Sequence, residues 1–388
     1  MADPIRVAFV VHTFDMAGLE RCIAHLANHL DRTRFQPVII CLNRSGSAEK
    51  WVERDDVPIF ALGKRSGNDW RVIRKLAETL KEERVEVVHS HNWGTLVETT
   101  LACSRARIRA HLHAEHGLEL SDLQLAKWRG RLRNWVKGWG LRRADLVVVV
   151  ADIVRRRLIE HCRLPPDRIR FVPNGVERLP VDDPEAARRQ IRQELGVSDD
   201  TVLIGSAGRL APIKNFESAV AATAELRSQG RNVALLLVGD GPNRESILER
   251  GRELGITEHV FLPGRREDVG RWLAALDVFV NSSLGEAMSM SILEAMAAGL
   301  PMVVTDVGEN SVLVGGDAPC GLVVPSGDVP ALAGGLGRLS SDRALRLNFS
   351  KHACSRFEAD YTVDQMVNAY SDLYESLCRS PAACNPSR

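Results

Sequence analysis

Short apolar runs alternate with stretches of helical period along nearly the whole chain, and this alternation restricts the fold more than any single motif does. Ile5 to Val11 reads as a buried strand; after a loop comes G-L-E-R-C-I-A-H-L-A-N-H-L, where Ile23, Leu26, Ala27 and Leu30 recur at helical spacing. P-V-I-I-C-L (37–42), V-E-V-V-H-S-H (85–91), I-R-A-H-L-H (108–113), L-V-V-V-V (146–150) and I-R-F-V-P (169–173) continue the series, with helices predicted near 70–83 and 94–104. Strands without polar alternation, separated by helices, predict a doubly wound parallel sheet. V-P-N-G-V (172–176), with Asn-Gly as a turn, and a Pro- and Asp-rich linker through Pro184 close this first series.

The alternation then repeats in V-L-I-G-S-A-G-R-L (202–210), V-A-L-L-L-V-G-D-G-P (233–242), V-F-L-P-G-R (260–265), D-V-F-V-N-S-S (277–283) and M-V-V-T-D (302–306), with helices near 215–229, 244–254 and 268–276. A chain of 388 residues accommodates two such α/β domains, expected at 1–177 and 178–361 with a cleft between them. Met366, Tyr370, Leu373, Tyr374 and Leu377 predict a last helix over 362–378 that must pack on something, and 379–388 has the composition of a disordered tail.

Lys plus Arg number 51 against 50 Asp plus Glu, a balance that gives no reason to expect a nucleic-acid partner. The eight Cys are scattered without a C-x-x-C pair and read as reduced, mostly buried thiols of a cytosolic protein. The N-terminal apolar run is too short for a signal peptide, and no stretch reaches membrane-spanning length. The expected location is the cytoplasm, free or at the cytoplasmic face of a membrane.

The densest functional signal is G-E-A-M-S-M-S-I-L-E-A-M-A-A-G-L-P (285–301), which sets Glu286 and Glu294 eight residues apart. A strand ends just before it and Gly299 with Pro301 stops the helix, so Glu286 is expected at a strand-to-helix junction and Glu294 about two turns along. Ligands of open α/β sheets bind at such carboxyl ends. Glu294 is the one charge between Ala287 and Leu300, and a buried acid needs partners such as ligand hydroxyls; pairing inside the fold would serve equally. Gly-rich turns at Gly205–Gly208, Gly239–Gly241 and Gly264 suit a nucleotide, and Arg209 with Lys214 beside the first could neutralise a diphosphate leaving group. Gly18, at the first strand–helix turn, would let the backbone approach a ligand, although turn geometry alone also explains it.

His89, His91, His111, His113 and His116 raise the question of a metal, since H-x-H on a strand puts both rings on one face. No carboxylate-rich set accompanies them, so no metal is expected. Lys127–Arg143 holds seven basic residues, three Trp and no acid, with Trp128, Leu132, Trp135 and Trp139 on one helical stripe. That stripe either packs on its own domain or docks on anionic lipid.

In order, G-R-L-A-P-I-K-N, L-V-G-D-G-P, L-P-G-R and E-A-M-S-M-S-I-L-E-A-M-A-A-G-L-P resemble the retaining family-4 glycosyltransferases of the GT-B fold, a likeness that includes A-G-L-E, A-E-H-G (114–117), V-P-N-G-V and the closing helix. It implies a nucleotide-sugar donor on the second domain, a glycan or lipid-linked acceptor on the first, and a closing helix that crosses back to the first domain. Arg209 and Lys214 would hold the diphosphate, Glu286 the transferred sugar and Glu294 the ribose. The backbone of Met288, Ser289 and Met290, beside Ala287, would line the phosphates and sugar, and Gly264 with Arg265 the base. His116 would stabilise charge at the anomeric carbon, and Gly18 would let its loop close on the leaving phosphate. No metal or other cofactor is implied. Two departures stand out: Ala287, Met288 and Ser289 replace a usual Gly-Phe-Gly, and Ala17 replaces a second Gly. A finer likeness is to exosortase-associated exopolysaccharide sugar transferases, and a GT-B module that binds nucleotide or glycan without catalysis is the alternative.

Overall fold

The computed structural model describes residues 3–67, 69–117 and 128–379. The chain divides into two units, Met1–Gly175 with Val363–Arg388, and Val176–Thr362.

The first unit is a seven-stranded parallel sheet of β1 (Ile5–Val11), β2 (Phe35–Cys41), β3 (Ile59–Ala61), β4 (Val87–His91), β5 (Ala110–Glu115), β6 (Leu146–Val149) and β7 (Ile169–Phe171), in the order β3-β2-β1-β4-β5-β6-β7. Its helices are α1 (Gly18–His29), α2 (Trp70–Glu82), α3 (Trp93–Ala106), α4 (Trp128–Leu141) and α5 (Asp152–Cys162). The runs in β1, β2, β4 and β5 are buried along most of their length because helices cover both faces. The order in which successive strands are added reverses between β1 and β4, the place where such sheets hold ligands.

The second unit follows α6 (Pro184–Glu194) with β8 (Val202–Ala207), α7 (Phe216–Ser228), β9 (Val233–Val238), α8 (Arg244–Glu253), β10 (Val260–Gly264), α9 (Val269–Ala274), β11 (Val278–Asn281) and α10 (Met290–Ala297). Then come β12 (Met302–Thr305), α11 (Asn310–Val314), β13 (Gly321–Val324), α12 (Val329–Ser341) and α13 (Arg343–Asp360). The six strands lie in the order β10-β9-β8-β11-β12-β13, so this order switches between β8 and β11. Leu235, Leu237, Val278, Val280 and Val303 meet Val220, Leu226 and Leu336 in its core. Asp183, Asp328 and Asp342 cap α6, α12 and α13 by accepting from the backbone N–H of Ala186, Ala331 and Leu345.

The last helix, α14 (Val363–Arg379), buries Met366, Tyr370 and Tyr374 against α1 and β4 of the first unit. Of the eight cysteines, Cys22, Cys41, Cys103, Cys162, Cys320 and Cys378 are buried free thiols and Cys354 is half-buried; Cys384 lies outside the described residues, as does nearly all of the tail from Arg379 onward.

Three expectations need correction. V-P-N-G-V does not turn: Val176 runs parallel to Thr362, its N–H donating to Tyr361 O at 3.0 Å. The strand expected at 108–113 ends at Glu115, which brings that carboxylate into the sheet. Most of the stripe on α4 does not pack on its own domain: Trp128, Leu132 and Trp135 are 69%, 52% and 65% exposed, and Trp139 alone of the four is half-buried. The helix turns instead Gly130, Lys137, Gly138, Gly140 and Leu141 inward. A Cβ on Gly138 would lie 2.7 Å from Cys162 O and one on Gly140 2.8 Å from Leu96, so the missing side chains, rather than the Trp rings, let α4 approach. Lys127 lies outside the described residues.

Candidate functional site

In the second unit the switch between β8 and β11 assembles most of the residues singled out from the sequence. Two loops leave the carboxyl ends of these neighbouring strands and are stitched together: Ser282 Oγ donates to Lys214 O at 2.9 Å and Leu284 N to Ile213 O at 2.8 Å. That stitching brings Lys214 Nζ to 2.6 Å from Glu286 Oε1, which also accepts from Ser283 Oγ at 2.7 Å. Both side chains are mostly buried, at 22% and 12% exposure, so the pair is a strong charge-assisted contact rather than a solvated one. Arg209, on the same loop as Lys214, is exposed and has no side-chain partner among the described residues.

Next to it the glycine turns after β8, β9 and β10 interlock. Gly208 N donates to Val238 O, Leu210 N to Asp240 O, and Gly239 N to Gly264 O, each at 2.9 Å. Gly239 (φ +143°) and Gly241 (φ +157°) pass so close to this neighbour that a Cβ would sit 1.9 Å from Gly208 O and 2.4 Å from Leu210 O. Glycine is a steric requirement there, and the result is a rim of backbone amides beside a cation. Gly264 (φ +85°) ends β10 and Arg265 follows it, exposed.

Glu286 is not at the start of a helix; the loop continues for three more residues, and α10 begins at Met290 with Ser289 before it. Glu294 is half-buried on α10, not fully buried as the apolar flank suggested. Met288 and Ser289 are buried, while Ala287 and Met290 are half-buried. Ser289 sits at φ −80°, ψ 110°, and Ala17 at φ −148°, conformations open to any residue, so neither departure from glycine strains the backbone.

A set of side chains that sequence reasoning missed supports this loop from beneath. Asn281 Nδ2 donates to Ser289 Oγ at 3.2 Å, Ser289 and Ser291 hydroxyls lie 3.1 Å apart, and Asn310 Nδ2 reaches Asn281 Oδ1 at 3.3 Å. Thr305 Oγ1 and Ser326 Oγ both donate to Ser283 O. Glu309 N donates to Ala287 O at 2.9 Å, and Gly308 (φ +57°) lies where a Cβ would be 2.4 Å from Glu286 O. The small polar residues of N-S-S and S-M-S were a signal, since a core strand end has no other use for them.

In the first unit Gly18 is the opening residue of α1 and so helical, not a turn glycine. Glu20, in the same first turn, has one buried carboxylate oxygen without a hydrogen-bond partner, and burial pushes its pKa up to about 7. His116 follows β5. Its N–H donates to Asn92 Oδ1 at 2.9 Å and its Nε2 is 3.1 Å from His91 Nδ1. Burial lowers its pKa to about 4, which keeps the imidazole neutral near pH 7.

The remaining histidines divide between the two sheet faces. Ser90 Oγ is 2.7 Å from both His111 Nε2 and His113 Nδ1. His113 Nε2 is 3.2 Å from Glu115 Oε1, to which Lys137 Nζ comes within 2.8 Å. Glu115 is wholly buried; that would raise its pKa, yet Lys137 and His113 hold it well below the usual carboxylate range. These imidazoles are thus engaged with hydroxyl and carboxylate groups inside the sheet.

Comparison with known proteins follows the same outline. A family model described as glycosyl transferases group 1 matches residues 201–342, and one described as glycosyltransferase family 4 matches residues 16–178. The chain is 24% identical over 380 residues to UDP-Gal:alpha-D-GlcNAc-diphosphoundecaprenol alpha-1,3-galactosyltransferase of Escherichia coli, covering 95% of this chain and 96% of that one. It is 30% identical over 318 residues to D-inositol 3-phosphate glycosyltransferase of Stackebrandtia nassauensis, covering 76% and 70%. Among solved structures, Anabaena Alr3699/HepE in complex with UDP-glucose matches with a TM-score of 0.82 at 19% identity, covering 96% of this chain and 100% of that one.

Proposed function

The chain belongs to the group 1, family 4 glycosyltransferases, with the two Rossmann-like units of the GT-B fold, and we propose that it moves a sugar from a uridine-diphosphate donor, with retention of configuration, to a glycan or lipid-linked acceptor in cell-surface polysaccharide synthesis. One observation carries the reading: at the switch between β8 and β11, the ammonium of Lys214 and the carboxylate of Glu286 meet at 2.6 Å beside the exposed Arg209. Cations there suit a diphosphate, and a carboxylate that accepts from Ser283 suits sugar hydroxyls. Arg209 and Lys214 then neutralise the charge that grows on the leaving nucleotide as the glycosidic bond breaks, which is where a fixed cation lowers a barrier most.

Glu294 on α10 takes the ribose, the backbone from Ala287 through Ser289 to Met290 the phosphates, and Gly264 with Arg265 the base. His116 acts as a neutral imidazole toward the anomeric carbon, and Gly18 opens the helix that favours the leaving phosphate. With two cations in this role the reaction proceeds without metal, and turnover unchanged by a chelator is the expected result. A uridine donor and a lipid diphosphate acceptor are supported by the names of the relatives, which carry UDP-galactose, diphosphoundecaprenol and UDP-glucose.

The working location is the cytoplasmic face of a membrane. Among the described residues no helix is long and apolar enough to cross one. On α4, however, Trp128, Leu132 and Trp135 stand exposed among Arg129, Arg131 and Arg133, the composition of an interfacial helix on anionic lipid.

The deciding experiment is thermal stabilisation by UDP, GDP and ADP in the wild type and in Lys214→Ala. A ligand at a hundred times its dissociation constant adds about 2.7 kcal/mol. UDP is expected to raise the melting temperature and Lys214→Ala to lose most of that rise. No shift with any of the three would move the chain to a non-catalytic role.

A further inference from the structure

His89 and His91 were marked by their strand spacing and serve no metal in the reading above, yet His91 is in direct contact with His116. Its Nδ1 lies 3.1 Å from His116 Nε2, with ring centroids 5.3 Å apart. Behind it the His89 ring is 4.1 Å away, and His89 Nδ1 is 2.8 Å from the hydroxyl of Tyr374 on α14. Phe9 packs against both rings. His91 is therefore held on all sides, being 2% exposed, and cannot turn to follow His116; His116 has to follow it.

The next residue grips the backbone of the same target. Asn92 Oδ1 accepts from His116 N, while Asn92 N donates to Ala114 O at 2.8 Å. To do so Asn92 adopts φ 57°, ψ 169°, a region that residues other than glycine almost never enter. Two consecutive residues at the carboxyl end of β4 thus hold His116, one by its ring and one by its main chain, and the second does so at a conformational cost.

We infer that His91 is a positioning residue for His116, setting its ring plane and tautomer. Burial lowers the pKa of both His89 and His91 well below the ordinary value, so each imidazole in the chain carries one donor and one acceptor nitrogen. In the His91–His116 bond one nitrogen donates to the other, and the tautomer of His116 is locked to that of its neighbour. Whether His116 Nδ1, the nitrogen left over from that bond and buried without a partner among the described residues, carries the proton then depends on a side chain that never meets the sugar. The consequence for turnover rests on the reading of His116 as a group at the reacting carbon; the hydrogen bond itself does not.

The test uses the full chain with ¹⁵N-labelled histidine, and His91→Phe, which keeps the ring packing on Phe9 and His89 but removes the nitrogen. In the wild type the two His116 nitrogens should show the separated shifts of one tautomer; in His91→Phe they should move toward the average of two. UDP release from UDP-galactose or UDP-glucose should fall about tenfold, the weight of one hydrogen bond made during reaction, at unchanged UDP affinity. His91→Asn, which restores a polar atom near Nδ1, should recover the single tautomer and most of the turnover. Unaltered His116 shifts in His91→Phe would overturn the inference. Full turnover in His116→Ala would instead overturn the role of His116, and the shifts would still decide the bond.

Discussion

Replacing Lys137 by Met removes an ammonium and keeps the stem that lies along α4, which isolates the charge of the Lys137–Glu115 pair. At 2.8 Å and an effective dielectric of 20, the attraction is roughly 6 kcal/mol before desolvation. Removing Lys137 leaves Glu115, with no exposed surface, without its ammonium and with His113 as the partner that remains, at a cost of about 3–5 kcal/mol. For a unit of this size each kcal/mol moves the melting temperature by about 2–4 °C, so the first unit should melt roughly 6–20 °C lower at pH 7.5. The pH dependence supplies the sharper check. In the wild type the folded pKa of Glu115 is depressed, so its contribution is present above the unfolded value of 4.5 and is lost as pH falls through the folded one. Without Lys137, burial drives that pKa up, the protonated acid is tolerated, and the gap between variant and wild type should shrink below about pH 4. Adding Glu115→Gln should restore most of the loss, because a pair replaced together leaves no charge behind. Melting followed by tryptophan fluorescence at both pH values measures all of this. A gap under about 2 °C at pH 7.5, or one of equal size at pH 4, would refute the argument.

Glu20→Gln should stabilise the chain above pH 7: a folded pKa raised to about 7 means the folded state holds a proton the unfolded state has lost, so wild-type stability declines between about pH 4.5 and 7, and the variant should lack that decline in denaturant titrations. Gly308→Ala places a Cβ against Glu286 O and Ala287 O at a φ of +57°, which should cost about 1–3 kcal/mol in the second unit and weaken UDP binding at least tenfold by calorimetry. Trp128→Ser with Trp135→Ser should abolish co-sedimentation with phosphatidylglycerol vesicles and leave UDP stabilisation as in the wild type, since both rings are exposed; co-sedimentation equal to the wild type's would refute a lipid-docking role for this stripe.

Sequence reading succeeded where a single physical rule dominates. Runs such as V-A-L-L-L-V admit no other use than a strand covered on both faces, and β9 is buried throughout. Gly239 and Gly241 were legible as a turn, though read as suited to a nucleotide; the structure adds that no other residue passes that close to the neighbouring turn. The Lys214–Glu286 pair was named as two separate roles, because their 72-residue separation hides the adjacency of β8 and β11 that strand order creates. Lys137 was counted only as one of seven basic residues on a helix, for nothing in K-W-R-G-R-L-R-N-W-V-K states that its partner ends a strand 22 residues earlier. The Trp stripe misled for the opposite reason. Helical spacing reports that apolar groups share a face, but the small residues Gly138 and Gly140 decided which face packs.

The loop from Glu286 to Met290 departs from its family's glycines at two positions, yet its backbone needs neither. Across the gap lies Gly308, whose left-handed φ lets the following loop lie against the carbonyls of Glu286 and Ala287 while Glu309 N donates to the second. Ser289 then contributes what a glycine cannot: a hydroxyl tied to Asn281 and Ser291, with Asn310 closing the set. A glycine-rich loop is shaped by its ligand, at an entropic cost on each binding event. This one is shaped by side chains buried beneath it, so Glu286 is held toward Lys214 by the fold rather than by a donor. The same division recurs in the first unit, where His91 and Asn92 hold His116 from behind. In both units the groups assigned to the reacting sugar are set by neighbours on adjacent strands, and specificity for one donor can change through those neighbours without altering any residue that touches it.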